Sequence, residues 1–332
     1  MPHRSFLTFI LPSLAAMALF IFVPLLNVLY TSLFSAPPPE EVLSEVCSTN
    51  FLTGVKTCTE TVDLIPVEGP DVFRGLFYFC NRSVLACQQV LAGEDLMNLP
   101  FYKAMAFTLF YTVVTLPFVI VFGLIVALVV DNIVRPMRGP AIFASLLPFI
   151  VTPLVGSLVL FWMTDNNGGI LYSIINWTVF WADDFSLRAS PAATWSVIAI
   201  YGVWHVTPFA FIVFYAALQT VSQDQIEAAM IDGARKFARF RYVVLPHLMP
   251  LVTFVTLMHI MDAFRVLEPI VSFQAHGNAQ SVSYLIYEHL VLQFDKRYGT
   301  AAATSVLTIL IVFFMLFPVL VRTWRDFKIA AR

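Results

Sequence analysis

Four ionisable side chains stand three residues apart inside an apolar tract: His259, Asp262, Arg265 and Glu268. On a helix each step of three turns by about −60°, so the four predict a slowly winding polar stripe, with Asp262–Arg265 and Arg265–Glu268 within pairing reach. Ionisable groups inside a membrane segment are costly and mark solute or ion pathways. The chemistry open to this set is recognition of a polar solute in transit, or a proton relay through His259, Asp262 and Arg265. The plainer alternative is a set of ion pairs bracing one helix against its neighbour, with Glu268 solvated at the boundary. A second polar group, Trp204, His205 and Thr207, precedes Pro208, whose missing N–H frees a carbonyl four residues back. Trp204 beside such a kink is either a platform for the apolar face of a sugar or an interfacial anchor.

Other chemistry is absent from the sequence. There is no His-Glu-x-x-His and no Gly-x-Ser-x-Gly nucleophile turn. Asp165-Asn166-Asn167-Gly168-Gly169 reads as a turn, without the twelve-position calcium pattern. Neither an enzyme nor a metal or cofactor site is expected.

The elements that must position these residues follow from composition. The chain has 332 residues, 59% hydrophobic and 12% charged, with a mean hydropathy of +0.81. Soluble domains carry roughly 25% charge. Continuous apolar runs at about 6–34, 104–130, 140–163, 192–219, 246–268 and 299–321 predict six transmembrane helices, because helices satisfy their backbone internally in lipid. The fold class is an all-α integral membrane protein. The first run is longer than a signal-peptide core and reads as a retained span.

Basic residues set the orientation. With both termini cytoplasmic, Arg4, Arg135, Arg138, Arg235, Lys236, Arg239, Arg241, Arg322, Arg325, Lys328 and Arg332 lie inside. Lys56, Arg74, Arg82, Lys103, Arg188, Lys296 and Arg297 lie outside, in much longer segments. The positive-inside rule favours this arrangement. The outer segment 35–103 then holds Cys47, Cys58, Cys80 and Cys87 in an oxidising compartment. Four cysteines allow three pairings; neighbours in sequence, Cys47–Cys58 and Cys80–Cys87, are preferred. Seven residues along an unbroken helix span about 10.5 Å, too far for a bridge. Cys80–Cys87 therefore requires a bend. Trp177 and Trp181 fall on a short helix suited to the outer interface.

Between the fourth and fifth spans lies a charged segment, 222–246. Ser222-Gln223-Asp224-Gln225 fits a capping box. Ile226, Ala229, Met230 and Gly233 fall on one small apolar face, and Gly233 suits a helix end. Leu245-Pro246 leads into the next span. A short helix here would either dock into a groove on a partner or rest on lipid.

Glu227-Ala228-Ala229, then Asp232-Gly233-Ala234, Phe240, Leu245-Pro246 and Pro250 resemble the EAA loop of permease subunits in bacterial ABC importers, in the carbohydrate-uptake branch of the maltose and glycerol-phosphate type. Trp204 with Pro208-Phe209, Ala217-Leu218-Gln219, Phe264-Arg265-Val266-Leu267-Glu268 and Tyr298-Gly299-Thr300-Ala301-Ala302-Ala303 resemble the flanking stretches of that family, covering about 100–325. The cysteine-bearing loop has no placed counterpart. Gln274-Ala275-His276-Gly277-Asn278 departs from the family's usual Thr-x-Gly-Gly-Pro.

The resemblance implies a permease that moves a sugar, a di- or oligosaccharide, or a related polyol across the bacterial inner membrane. It implies a second permease of similar fold, two copies of a cytoplasmic ATPase and a periplasmic solute-binding protein as partners, besides membrane lipid, and no nucleic acid. This sequence lacks Gly-x-x-x-x-Gly-Lys-Ser/Thr, so ATP and Mg would be bound by the partner ATPase. Glu227, Ala228, Ala229, Met230, Asp232, Gly233 and Ala234 would form the coupling surface. Asp262, Arg265, His259, Glu268, Trp204 and Thr207 are the candidate solute path. The organisation expected is a first helix (1–34), an outer cap (35–103), a permease core (104–325) with its coupling loop (222–246), and a cytoplasmic tail (326–332). The alternative is an ion-coupled carrier using the Asp262/Arg265 stripe.

Overall fold

The computed structural model describes residues 3–35, 40–49, 56–65, 71–166, 168–178, 190–293 and 297–330. The six expected spans correspond to five continuous helices and one broken pair. In chain order they are α1 (Ile10–Leu33), α2 (Pro100–Asn132), the pair α3 (Arg135–Ile150) and α4 (Pro153–Met163), α5 (Pro191–Leu218), α7 (Lys236–Ala263) and α8 (Tyr298–Ala330), with the short α6 (Gln223–Ile231) between α5 and α7. The expected tail 326–332 is helical as far as Ala330.

Two spans depart from expectation. The third is not one helix over 140–163: α3 and α4 meet at 86°. Pro153 has no N–H for the carbonyl of Phe149, and the residue before a proline avoids the helical region. Thr152 accordingly sits at φ −62° and ψ 146°. The fifth span runs from Lys236 to Ala263, not 246–268. Its N-terminal side passes through a π-helical turn at Phe240–Val244, directly ahead of Pro246; the wider turn accommodates a residue that cannot bond backwards. Its C-terminal side stops early because Arg265 N–H bonds to Asp262 O (2.9 Å), while the hydroxyls of Ser281 and Ser283 take the carbonyls of Val266 and Phe264. Arg265 therefore lies in a turn, and Glu268 opens a separate short helix, Glu268–Ser272.

The chain divides into two compact units. The first comprises 1–93 and 289–306. In it β1 (Phe34–Ser35) pairs antiparallel with β4 (Val72–Phe73), and β2 (Glu40–Thr49) with β3 (Lys56–Ile65). Cys47 and Cys58 are register partners across β2–β3, a spacing compatible with a bridge; their side chains lie outside the described residues. Cys80 and Cys87 are disulfide-bonded with Cα atoms 4.9 Å apart. The required bend is supplied by Ala86, left-handed at φ 48° and ψ 48°. Tyr78, in the same loop, lies so close to Gly299 that a Cβ there would collide with its ring.

The second unit comprises 94–288 and 307–332. Its centre is the packing of α2 on α5. Small residues allow the close approach: Gly123 lies against Ala210, and Gly202 against the Tyr111 hydroxyl. One buried cluster gathers Phe107, Tyr111, Ile198, Ile270 and Phe273; another gathers Val119, Ala127, Phe211, Phe214 and Val255. The hydroxyls of Thr108, Thr112 and Thr115 turn back to the carbonyls of Ala104, Thr108 and Tyr111, so these polar groups are satisfied within α2. Gln274, where the sequence departs from the resembled family, takes a left-handed backbone (φ 54°), and the following turn is held by Trp195 Nε1–H donating to Asn278 O (2.8 Å).

Candidate translocation cavity and coupling helix

A cavity of about 470 Å³ opens between α2, the α3–α4 corner, α5 and the end of α7. Asp262, Arg265, Glu268 and His259 all line it. The stripe thus converges on one space even though only His259 and Asp262 are on α7, because the turn after Ala263 folds Arg265 and Glu268 back onto the same wall. Tyr111, Phe149, Tyr201 and Phe209 add aromatic surface, and His205 a second imidazole. Two carboxylates, one guanidinium and two imidazoles among aromatic rings form a site able to hydrogen-bond a polyhydroxylated solute and pack against its apolar faces; the volume lies within the range of small-molecule pockets.

His259 also braces. It is 2% exposed, and its Nε2 lies 2.8 Å from Thr115 Oγ1. Its Nδ1 is buried without a hydrogen-bond partner. Of the two alternatives for the stripe, His259 combines both, while Asp262, Arg265 and Glu268 border open space.

Trp204 and Thr207 do not join this group. They line a separate apolar groove of about 360 Å³ with Phe122, Val126, Pro208 and Phe211, and the Thr207 hydroxyl is spent on Val203 O (2.6 Å). Tyr201 and His205, one helical turn apart, face the charged cavity instead. The i,i+4 spacing of Tyr201 and His205 was the available signal; attention to Pro208 and its tryptophan pointed to another face of α5.

In the second unit α6 is followed by a turn built on Gly233. Gly233 N–H bonds to Met230 O (3.0 Å) and Ala234 N–H to Ala229 O (2.9 Å), with Gly233 at φ +74°. This is a Schellman termination, which favours glycine for its positive φ. Ser222 occupies the N-cap position with an extended backbone, but its side chain makes no cap bond. The expected capping box is therefore not formed, and backbone geometry alone starts the helix. Ile226 and Ala229 are half-buried, while Glu227, Ala228 and Asp232 are exposed. Met230 is 49% and Ile231 87% exposed, and Phe237 beyond the turn is 72% exposed. The single small face expected from Ile226, Ala229, Met230 and Gly233 is thus split between the protein and the surface.

Among the described residues no group of three or more His, Cys, Asp or Glu could hold a metal ion. Trp177 on the helix Ile170–Thr178 is exposed; Trp181 lies outside the described residues.

Apolar helices enclosing a charged cavity are the build of a membrane transport subunit. Residues 90–327 match the family described as "Binding-protein-dependent transport system inner membrane component", and the chain belongs to that family. It is a multi-pass inner-membrane transport subunit, which leaves the ion-coupled carrier alternative without support. It is similar to the diacetylchitobiose uptake system permease protein DasB of Streptomyces coelicolor, 28% identical over 231 residues, covering 68% of each chain. It is similar to the trehalose/maltose transport system permease protein MalF of Thermococcus litoralis, 28% identical over 217 residues, 64% of this chain and 71% of the relative. In fold it matches a chain of a bacterial ABC transporter for the import of the acidic polysaccharide alginate, with a TM-score of 0.71 and 16% identity over 97% of this chain and 96% of the other.

Proposed function

We propose that this chain is one of two permeases in an ABC importer that moves a sugar, a di- or oligosaccharide, or a related polyol. The observation that carries the reading is the cavity bordered by Asp262, Arg265, Glu268 and His205 among aromatic rings. Two relatives whose names specify oligosaccharides, diacetylchitobiose and trehalose/maltose, support the solute class. Both termini are cytoplasmic in this reading, and the Cys80–Cys87 loop faces outward.

The exposed Glu227 and its apolar neighbours Met230 and Ile231 would meet a cytoplasmic ATPase, two copies of which bind ATP and Mg. A second permease completes the path. A periplasmic binding protein delivers solute; a structural relative was captured with such a protein carrying an alginate pentasaccharide. ATP-driven closure of the ATPases would draw the coupling helices together and tilt the bundles.

The test is purification of the chain with its partners in nanodiscs. ATPase turnover should rise when a binding protein loaded with one of a panel of mono- and disaccharides is added. If the chain alone transports solute in liposomes without ATP, the proposal is wrong.

A further inference from the structure

The broken third span leaves its corner short of backbone partners. In a continuous helix Pro148 O would accept from the N–H of Thr152, and Phe149 O from residue 153, which is proline. At the corner Thr152 is extended. Side chains from α5 stand at both sides of the break. The Nδ1 of His205 lies 2.9 Å from Pro148 O; a carbonyl only accepts, so Nδ1 carries the proton and donates. On the other side Tyr201 Oη donates at 3.0 Å to Pro153 O, the first carbonyl of α4, which also accepts from Ser157 Oγ at 2.6 Å. The two rings stack at 5.8 Å with planes 9° apart, and the Phe149 ring lies 6.2 Å from His205. Gly156 makes the second bond possible, because a Cβ there would collide with the Tyr201 hydroxyl.

Both the corner and its two donors line the charged cavity. A shift of α3–α4 against α5 would therefore change the cavity's shape. We propose that Tyr201 and His205 are positioning residues for transport: two pins that lock the α3–α4 corner to α5, so that this part of the cavity wall moves as one body during the cycle. The proposal rests on the importer reading for its functional consequence and on the hydrogen bonds for its mechanical one. With the pins broken, the corner moves separately and ATP-driven tilting is spent without carrying solute.

The experiment uses the complete transporter in proteoliposomes and measures solute moved per ATP hydrolysed. Tyr201→Phe removes one pin and His205→Leu the other. Gly156→Ala displaces the Tyr201 hydroxyl from Pro153 O while leaving both the Tyr201 and His205 side chains unaltered. Each should lower the ratio roughly fivefold, the equilibrium worth of one hydrogen bond, and the Tyr201→Phe/His205→Leu pair should lower it further. His205→Gln, whose side-chain amide can still donate to Pro148 O, should restore at least half of the ratio lost in His205→Leu. An unchanged ratio in the assembled single variants overturns the proposal. Should no ATPase assemble even with the unmodified chain, the importer reading fails instead. The pins are then read in the chain alone by amide exchange at residues 151–156: roughly tenfold faster exchange in the variants supports them, and unchanged exchange rejects them.

Discussion

Thr115 Oγ1 accepts a hydrogen bond from the imidazole of His259 across the α2–α7 contact. The roles are fixed by geometry: the threonine's only hydroxyl hydrogen points to Tyr111 O at 2.6 Å, so the His259 Nε2, 2.8 Å away, must be the donor. The other ring nitrogen of His259, Nδ1, is buried without a hydrogen-bond partner. Thr115→Val keeps the shape but leaves a buried N–H unsatisfied, at a cost of about 1–3 kcal/mol. The thermal midpoint of the purified protein should fall accordingly, and Thr115→Val with His259→Leu should recover part of the loss. A midpoint unmoved by Thr115→Val would show that this bond does not brace the helices.

Asp262 borders the cavity beside Arg265 and Glu268. Asp262→Ala should reduce solute uptake roughly tenfold or more, the worth of a charged hydrogen bond, with assembly on the ATPase intact. Uptake is measured with labelled solute in cells, and assembly by co-purification. Normal uptake would remove Asp262 from the solute path, leaving it a bracing role or neither.

Glu227 is exposed on α6. On the proposed docking, Glu227→Lys reverses the charge this helix presents and should weaken ATPase association roughly tenfold or more, with the permease still folded in the membrane. Transport at the unmodified rate would remove the docking role. Gly233→Val should act in the same direction, since φ +74° strains any β-branched residue.

The disulfide Cys80–Cys87 closes a loop of eight residues, counting both cysteines, with a sequence separation of 7. By chain entropy such a bridge contributes about 2.5 kcal/mol. Replacing both cysteines with serine should lower the thermal midpoint, and thiol reagents applied to intact cells without reductant should label neither residue. Ready labelling of Cys80 or Cys87 would contradict the bridge.

His289, outside the long spans, is 2% exposed, and burial followed by the charge of Arg297 lowers its pKa below the ordinary 6.5. The unfolded chain then binds the proton more readily than the folded one. The stability from this group is fully present above pH 6.5 and is lost as pH falls through the lowered folded value. Melting scans from pH 7.5 to 5 should show a declining midpoint that is flatter in His289→Asn. Equal slopes in both proteins would exclude His289 as the source.

Much of this was legible in the sequence, for reasons tied to particular residues. Continuous apolar runs dictate helices in lipid, and the Gly233 turn follows from a residue type suited to positive φ. The convergence of Asp262, Arg265 and Glu268 was anticipated, but on a continuous helix. What ends that helix is Ser281 and Ser283 capturing the carbonyls of Val266 and Phe264, a contact made from beyond the next turn, which periodicity along one segment does not report. The 86° corner was equally hidden: Pro12, Pro24, Pro117 and Pro208 also sit in apolar runs, and what marks the corner at Pro153 is that His205 takes the freed carbonyl of Pro148 and Tyr201 holds the start of α4. The side of α5 that faces the charges, with Tyr201 and His205 rather than Trp204 and Thr207, depended on where the neighbouring helices pack.

The contact of Tyr78 with Gly299 ties two distant stretches of the gene together. Any side chain at position 299 would evict the ring, and eviction would pull on the loop that the Cys80–Cys87 bridge closes. A chimera that borrows the last span from a relative must either keep glycine at position 299 or bring residues 77–87 with it; otherwise the graft will meet a tyrosine for which it has left no room.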